Sequence, residues 1–204
     1  MKQRRPFLTW VSAAIVAVLV LGAILYSRRP PPKPTPREVP VRELTLRDGR
    51  SYWKDQTVPF TGAITEAYPG GISKSRSVLS NGLLDGVSEG WYTNGVLQVR
   101  EHFVDGVSHG LREKWFDSGV KMSEATIKEG KIEGVFKRWH ENTQISEEVE
   151  MRGGNPNGTS LAYYPSGSLK ARARLEDGKV IEQKFWKDGE VAQVPTRHDV
   201  QPQI

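Results

Sequence analysis

The residue types suited to chemistry are few in this chain, and they are scattered. Four histidines, His102, His109, His140 and His198, are the natural candidates for acid–base work or for ligating a metal. His102 and His109 can approach each other across Asp105-Gly106, but a pair supplies too few ligands for a protein-held metal, and exposed strand histidines are the plainer reading. Glu147, Glu148 and Glu150 cluster as the carboxylates of a glycosidase or a calcium loop do, yet no partner motif accompanies them. The chain has no cysteine, and it lacks a Gly-x-Ser-x-Gly elbow, a phosphate loop and a His-Glu-x-x-His pair. Asn157-Gly158-Thr159 has the form of a glycosylation sequon and equally that of a loop. No catalytic, cofactor-binding or metal-binding residue is assigned.

What the sequence does carry is a phase of 24 residues, clearest in Gly86–Gly110, GVSEGWYTNGVLQVREHFVDGVSHG. One glycine column runs Gly62, Gly86, Gly110, Gly134 and Gly158, with Glu182 where a sixth is due. A second runs Gly82, Gly106, Gly130, Gly154 and Gly178; a third, Gly71, Gly95, Gly119 and Gly167, is broken by Thr143. Aromatic pairs recur as Trp91-Tyr92, Trp115-Phe116, Trp139-His140 and Tyr163-Tyr164, followed by an apolar column of Leu79, Phe103, Ile127, Met151 and Leu175. Agreement of glycines and rings in one phase marks an array of a single supersecondary unit.

The turn chemistry says what the unit is. WYTNG, WFDSG and YYPSG place turn residues between short runs, which predicts hairpins needing positive φ, and VDG, KEG and EDG lead the chain back. Each unit is therefore two antiparallel strands. Within the first strand, Val87, Leu111 and Val135 lie four residues before Trp91, Trp115 and Trp139, so the two sets share a face. Stacking the units aligns the tryptophans as a ladder, which is expected to form the core. The ladder is assigned Trp91, Trp115, Trp139, Tyr163, Tyr92, Phe116, Tyr164, Phe103 and Ile127; the turn glycines are Gly86, Gly95, Gly106, Gly110, Gly119, Gly130, Gly134, Gly158, Gly167 and Gly178.

The frame G…WY-x-NG…(D/E)G-x-x-x-G, with the lead-in RDGRSYWKDQTVPFTG at Arg47–Gly62, resembles the MORN family. More closely it resembles the bacterial MORN-variant repeats of the YwqK antitoxin family, over roughly Leu44 to Gly189. The resemblance implies a hairpin-repeat fold and, for function, a surface that neutralises a toxic protein. The fourth copy departs from the frame at His140 and Thr143, and the sixth is truncated to FWKDG.

Along the chain, residues 1–6 are a basic tail. Phe7 to Tyr26 carries no charge and has the length of a membrane span, so a transmembrane helix is predicted over 7–27. Residues 28–40 are a proline-rich stalk favouring polyproline II. A capping hairpin follows over 41–61, and then repeats over 62–190: units at 62–85, 86–109, 110–133, 134–157 and 158–181, and a partial one at 182–190. Residues 191–204 read as a disordered tail. The fold class expected is all-β, an elongated single-layer antiparallel meander of hairpin repeats preceded by one transmembrane helix.

The net charge of +5 is unevenly placed. Residues 1–50 hold ten Lys/Arg against three Asp/Glu, a net of +7, and the remainder nets −2. A nucleic-acid domain carries its basic excess on the folded surface, so nucleic acid is not expected as a partner. The basic flanks suit contact with anionic lipid headgroups. Three functions are weighed: a membrane-anchored, non-catalytic protein-interaction scaffold with an unknown protein partner, displaying Arg112, Lys114, Glu124 and Lys137; an antitoxin, as the resemblance implies; and a lipid-surface binding module. The expected location is a single-pass membrane protein with extracytoplasmic repeats.

Overall fold

The computed structural model describes residues 37–190. Among these residues there are sixteen strands, and those from residue 62 onward follow the 24-residue phase. The lead-in supplies β1 (Glu38–Pro40), a single 3-10 turn at Val41–Glu43, β2 (Leu44–Arg47) and β3 (Arg50–Trp53). The array then runs β4 (Gly62–Ala67), β5 (Ser73–Ser80), β6 (Leu83–Trp91), β7 (Leu97–Val104), β8 (Val107–Ser108), β9 (Gly110–Trp115), β10 (Lys121–Lys128) and β11 (Lys131–Ile132). It ends with β12 (Gly134–Trp139), β13 (Ile145–Arg152), β14 (Asn155–Tyr163), β15 (Leu169–Glu176) and β16 (Lys179–Phe185). β1 and β4–β16 form one 14-stranded sheet in chain order, with β8 and β11 as short partners of β7 and β10; β2 and β3 form a separate hairpin.

Two kinds of turn alternate. Asn81-Gly82, Asp105-Gly106, Glu129-Gly130, Gly153-Gly154 and Asp177-Gly178 each hold two consecutive positive φ values, the geometry of a type I′ hairpin that matches strand twist. At the other end, Tyr92 N–H donates to the Val96 carbonyl at 2.9 Å and Gly95 N–H to the Tyr92 carbonyl at 2.9 Å. The same pair of bonds recurs at Phe116, His140 and Tyr164. That turn needs one left-handed residue, supplied by Gly95, Gly119 and Gly167, and in the fourth copy by Thr143 at φ 71°.

The first glycine column has a different task. Leu79 faces Leu84 while Ser77 faces Ser88, so β6 carries two extra residues there, a bulge containing Gly86 at φ 118°. The β13–β14 pair repeats the pattern, from Met151↔Pro156 to Val149↔Ser160. At the last pair, Leu175 faces Val180 and Arg174 faces Glu182. The bulge there has one residue fewer, which explains both Glu182 in place of glycine and the arrival of the last tryptophan at 186 rather than 187.

Three expectations are corrected. First, the described residues form a fold without the preceding transmembrane helix: no helix among them is long and apolar enough to cross a membrane. Residues 7–27, on which that expectation fell, lie outside the described residues, as do the basic tail and residues 191–204. The single-pass membrane location, which rested on that span, is corrected with it, since no helix of the described residues supplies one. Second, the sheet is not purely an antiparallel meander, because β1 pairs in parallel with β4. Residues 38–40, read as the end of a stalk, form that strand, and Val39 within it is buried. Third, the tryptophan ladder is not the fully buried core. Trp91, Trp115, Trp139 and Tyr163 are half-buried, whereas Ile127, assigned to the same ladder, is buried, as are Leu79, Ala125 and Val149. Alternation along β9 and its register with β10 (Ala125↔Arg112, Ile127↔Gly110) place Ala125 and Ile127 on the side opposite Trp115. At the amino-terminal end, Val39, Phe60 and Leu79 form a buried cluster with Leu44, Trp53, Ile64 and Leu84 packed against it, which ties the lead-in hairpin to the array.

Candidate interaction surface

The sheet has two chemically different sides. On the tryptophan side, alternation along β6, β9 and β12 aligns Val87, Glu89 and Trp91 with Leu111, Glu113 and Trp115 and with Val135, Lys137 and Trp139. The middle row is paired across strands. Arg100 binds Glu89 at 2.9 Å, Lys121 binds Glu113 at 2.6 Å and Glu124 at 2.8 Å, and Lys137 binds Glu148 at 3.3 Å. Two of these cations also cover rings, the Arg100 guanidinium 5.8 Å from the Trp115 centroid and the Lys121 ammonium 5.8 Å from Trp139.

Protonation follows from this packing. Burial works against the Lys121 ammonium, but hydrogen bonds from it to Glu113 and Glu124, and their charges, outweigh that and raise its pKa. Burial raises the Tyr163 phenol, and the Glu148 carboxylate beside it raises it further. Beyond the ion pairs lies an uncovered apolar row. Leu111 and Val135 are 40% and 49% exposed, and Val104 and Val107, paired across the turn, are 52% and 48% exposed.

The opposite side holds Phe103, Ile127, Met151 and Leu175, with Arg112 bound to Glu101 at 2.5 Å and Arg138 to Glu147 at 3.8 Å. A shallow pocket of about 380 Å³ is lined by Glu101, Arg112 and Lys114 of this side together with Tyr92 and Trp115. The four residues expected on one displayed face are therefore divided: Glu124 and Lys137 lie on the tryptophan side, Arg112 and Lys114 on the other.

The histidines do not converge. His102 is exposed, with Nδ1 3.4 Å from the Leu111 carbonyl; His109 meets it only through a backbone bond of 2.9 Å to the His102 carbonyl. His140 Nε2 lies 3.0 Å from the Tyr163 carbonyl, and His198 is outside the described residues. Strand alternation also splits the acidic cluster. Glu147 turns to Arg138, Glu148 to Lys137, and Glu150 accepts the Thr159 N–H at 2.8 Å. Among the described residues no group of three or more His, Asp or Glu side chains is placed to hold a metal.

Contacts between units are the feature that sequence reasoning missed. Tyr68 hydroxyl donates to the Trp91 carbonyl at 2.9 Å, Tyr92 to Trp115 at 2.9 Å, and Tyr164 to Trp186 at 3.1 Å. His140 takes that place in the fourth copy, and Phe116, lacking a hydroxyl, leaves one link unmade. The turn amides form a second series, from Gly82 to the Phe60 carbonyl, Gly106 to Leu84, Gly130 to Ser108, Gly154 to Ile132 and Gly178 to Pro156, all 2.7–3.0 Å. Their sequence signal was present: Tyr68 and Tyr92 stand 23 residues before the tryptophan they reach and Tyr164, ahead of the shortened bulge, 22, while each turn glycine stands 22 after its acceptor.

Residues 84–105 match the family model described as MORN repeat variant. They span one turn-to-turn copy, β6 through β7, of the unit that recurs along the sheet. No curated protein matches the chain. The match supports the repeat class, not the antitoxin family or a membrane anchor.

Proposed function

We propose that the chain is a non-catalytic, repeat-built protein-interaction module, and that its tryptophan side is the contact face. The observation that carries this reading is the exposed row of Leu111 and Val135 beside half-buried rings, on the stretch of face from β6 to β13 where Glu89, Glu113, Glu124 and Glu148 are already paired within the sheet. Paired ions are cheap to cover compared with lone charges, and an apolar row flanked by aromatic side chains is the composition that interface centres favour. Among the described residues the elements outside the large sheet are the β2–β3 hairpin and the 3-10 turn of the lead-in, both preceding β4. The repeat phase adds reach, because contacts of one type recur from unit to unit.

The test is quantitative co-purification with the full chain. Leu111→Asp with Val135→Asp, both at exposed positions, is expected to leave the melting temperature near that of the native chain and to remove bound protein. Lys114→Glu, on the opposite side, is expected to leave it. Binding that survives the first change and is lost with the second would overturn the choice of face, and turnover abolished by a single point change would overturn the non-catalytic reading.

A further inference from the structure

The two ends of the 14-stranded sheet differ. At the amino-terminal end β4 is already paired by β1, which carries Pro40 and presents no amide there. At the other end β16 is seven residues long, every one of them exposed, with Val180 at 53%, Ile181 at 49% and Phe185 at 65%. Among the described residues no strand pairs its outer edge. The Val180 carbonyl, at the position where Leu84, Ser108, Ile132 and Pro156 each accept the turn amide of the following unit, has no such donor among them. A long, exposed, apolar edge without proline is a template for another strand.

We propose that β16 pairs antiparallel with β16 of a second copy, about a two-fold axis through Gln183. Head-to-tail joining would have to use the outer edge of β1, which is three residues long and has no amide at Pro40, so the two carboxy-terminal edges are the better-matched surfaces. The charge pattern selects the register. With Gln183 opposite itself, Glu182 faces Lys184 of the second copy twice, and Ile181 faces Phe185 twice on the other side of the sheet. A slip by two residues in one direction sets Glu182 against Glu182; a slip in the other sets Lys184 against Lys184, and both place like charges opposite.

Within its own chain Lys184 lies opposite Arg172 and Glu182 opposite Arg174. Among the described residues neither Glu182 nor Lys184 takes part in an ion pair, for Arg174 reaches Glu176 instead, at 3.8 Å. The axis stands perpendicular to the sheet, so the tryptophan sides of the two copies become one continuous face.

The test is the mass of the full chain in solution, by light scattering on a sizing column, as concentration rises from about 1 to about 100 µM. The native chain is expected to double in mass over that range. Glu182→Lys, which leaves lysines facing in all three registers, is expected to remain monomeric, as is Lys184→Glu. The chain carrying both changes is expected to dimerise again, and an equimolar mixture of the two single variants to give a mixed dimer. A native chain that stays monomeric throughout, or a single reversal that leaves the doubled mass untouched, overturns the proposal.

Discussion

At Thr143 the fourth unit holds a β-branched residue at φ 71°, where its counterparts are Gly71, Gly95, Gly119 and Gly167 at 83–89°. The left-handed region costs an L-residue roughly 1–2 kcal/mol, part of which a glycine returns through the entropy of the unfolded chain. Thr143→Gly is therefore expected to raise stability by about 1 kcal/mol, read as a higher denaturant midpoint with an unchanged slope. No change, or a loss, would mean that the threonine side chain supplies a compensating contact.

The element that repeats is a hairpin, and its identity was legible in the sequence because each of its constraints leaves a residue-level mark. Positive φ writes glycine, the two-residue turn writes Asp-Gly, and strand alternation writes Val-x-x-x-Trp. What was not legible was which face the sheet would bury. Alternation tells two sides apart without ranking them, and the rings stood out by size although Ala125 and Ile127 on the other side are buried where Trp91, Trp115 and Trp139 are half-buried; Trp186, at the end of the array, is buried too. Contacts between elements were hidden for a related reason, since they join a side chain to a backbone carbonyl that any residue supplies. Such a bond contributes about 0.5–1.5 kcal/mol. Phe116→Tyr should complete the series by reaching the Trp139 carbonyl and stabilise by about that amount, while Tyr92→Phe should cost about as much; thermal unfolding of the two variants reads both. Opposite signs support the link, and a stabilising Tyr92→Phe would contradict it.

For the molecule as a whole, each unit is completed by its neighbour. In a type I′ turn the amide of the second turn residue is left over by its own hairpin; here those of Gly82, Gly106, Gly130, Gly154 and Gly178 bind the unit before. The lead-in supplies the first acceptor through Phe60, and this is the physical reason for an atypical terminal segment in a repeat array. Among the described residues the same completion leaves one end open at β16 and one side uncovered along Leu111 and Val135, the two surfaces on which the functional proposals stand. The partial charge pattern of β16 was visible in the sequence, but that this strand ends the sheet of the described residues was not, because Glu182 and Trp186 reveal a shortened bulge only when the register is known. Amide hydrogen exchange at the five turn glycines tests this interlocked array most directly. Protection of the interior turn amides Gly106, Gly130 and Gly154 by at least about a hundredfold over free exchange is the predicted result; exchange at the unprotected rate would show the units to be independent hairpins and contradict the account.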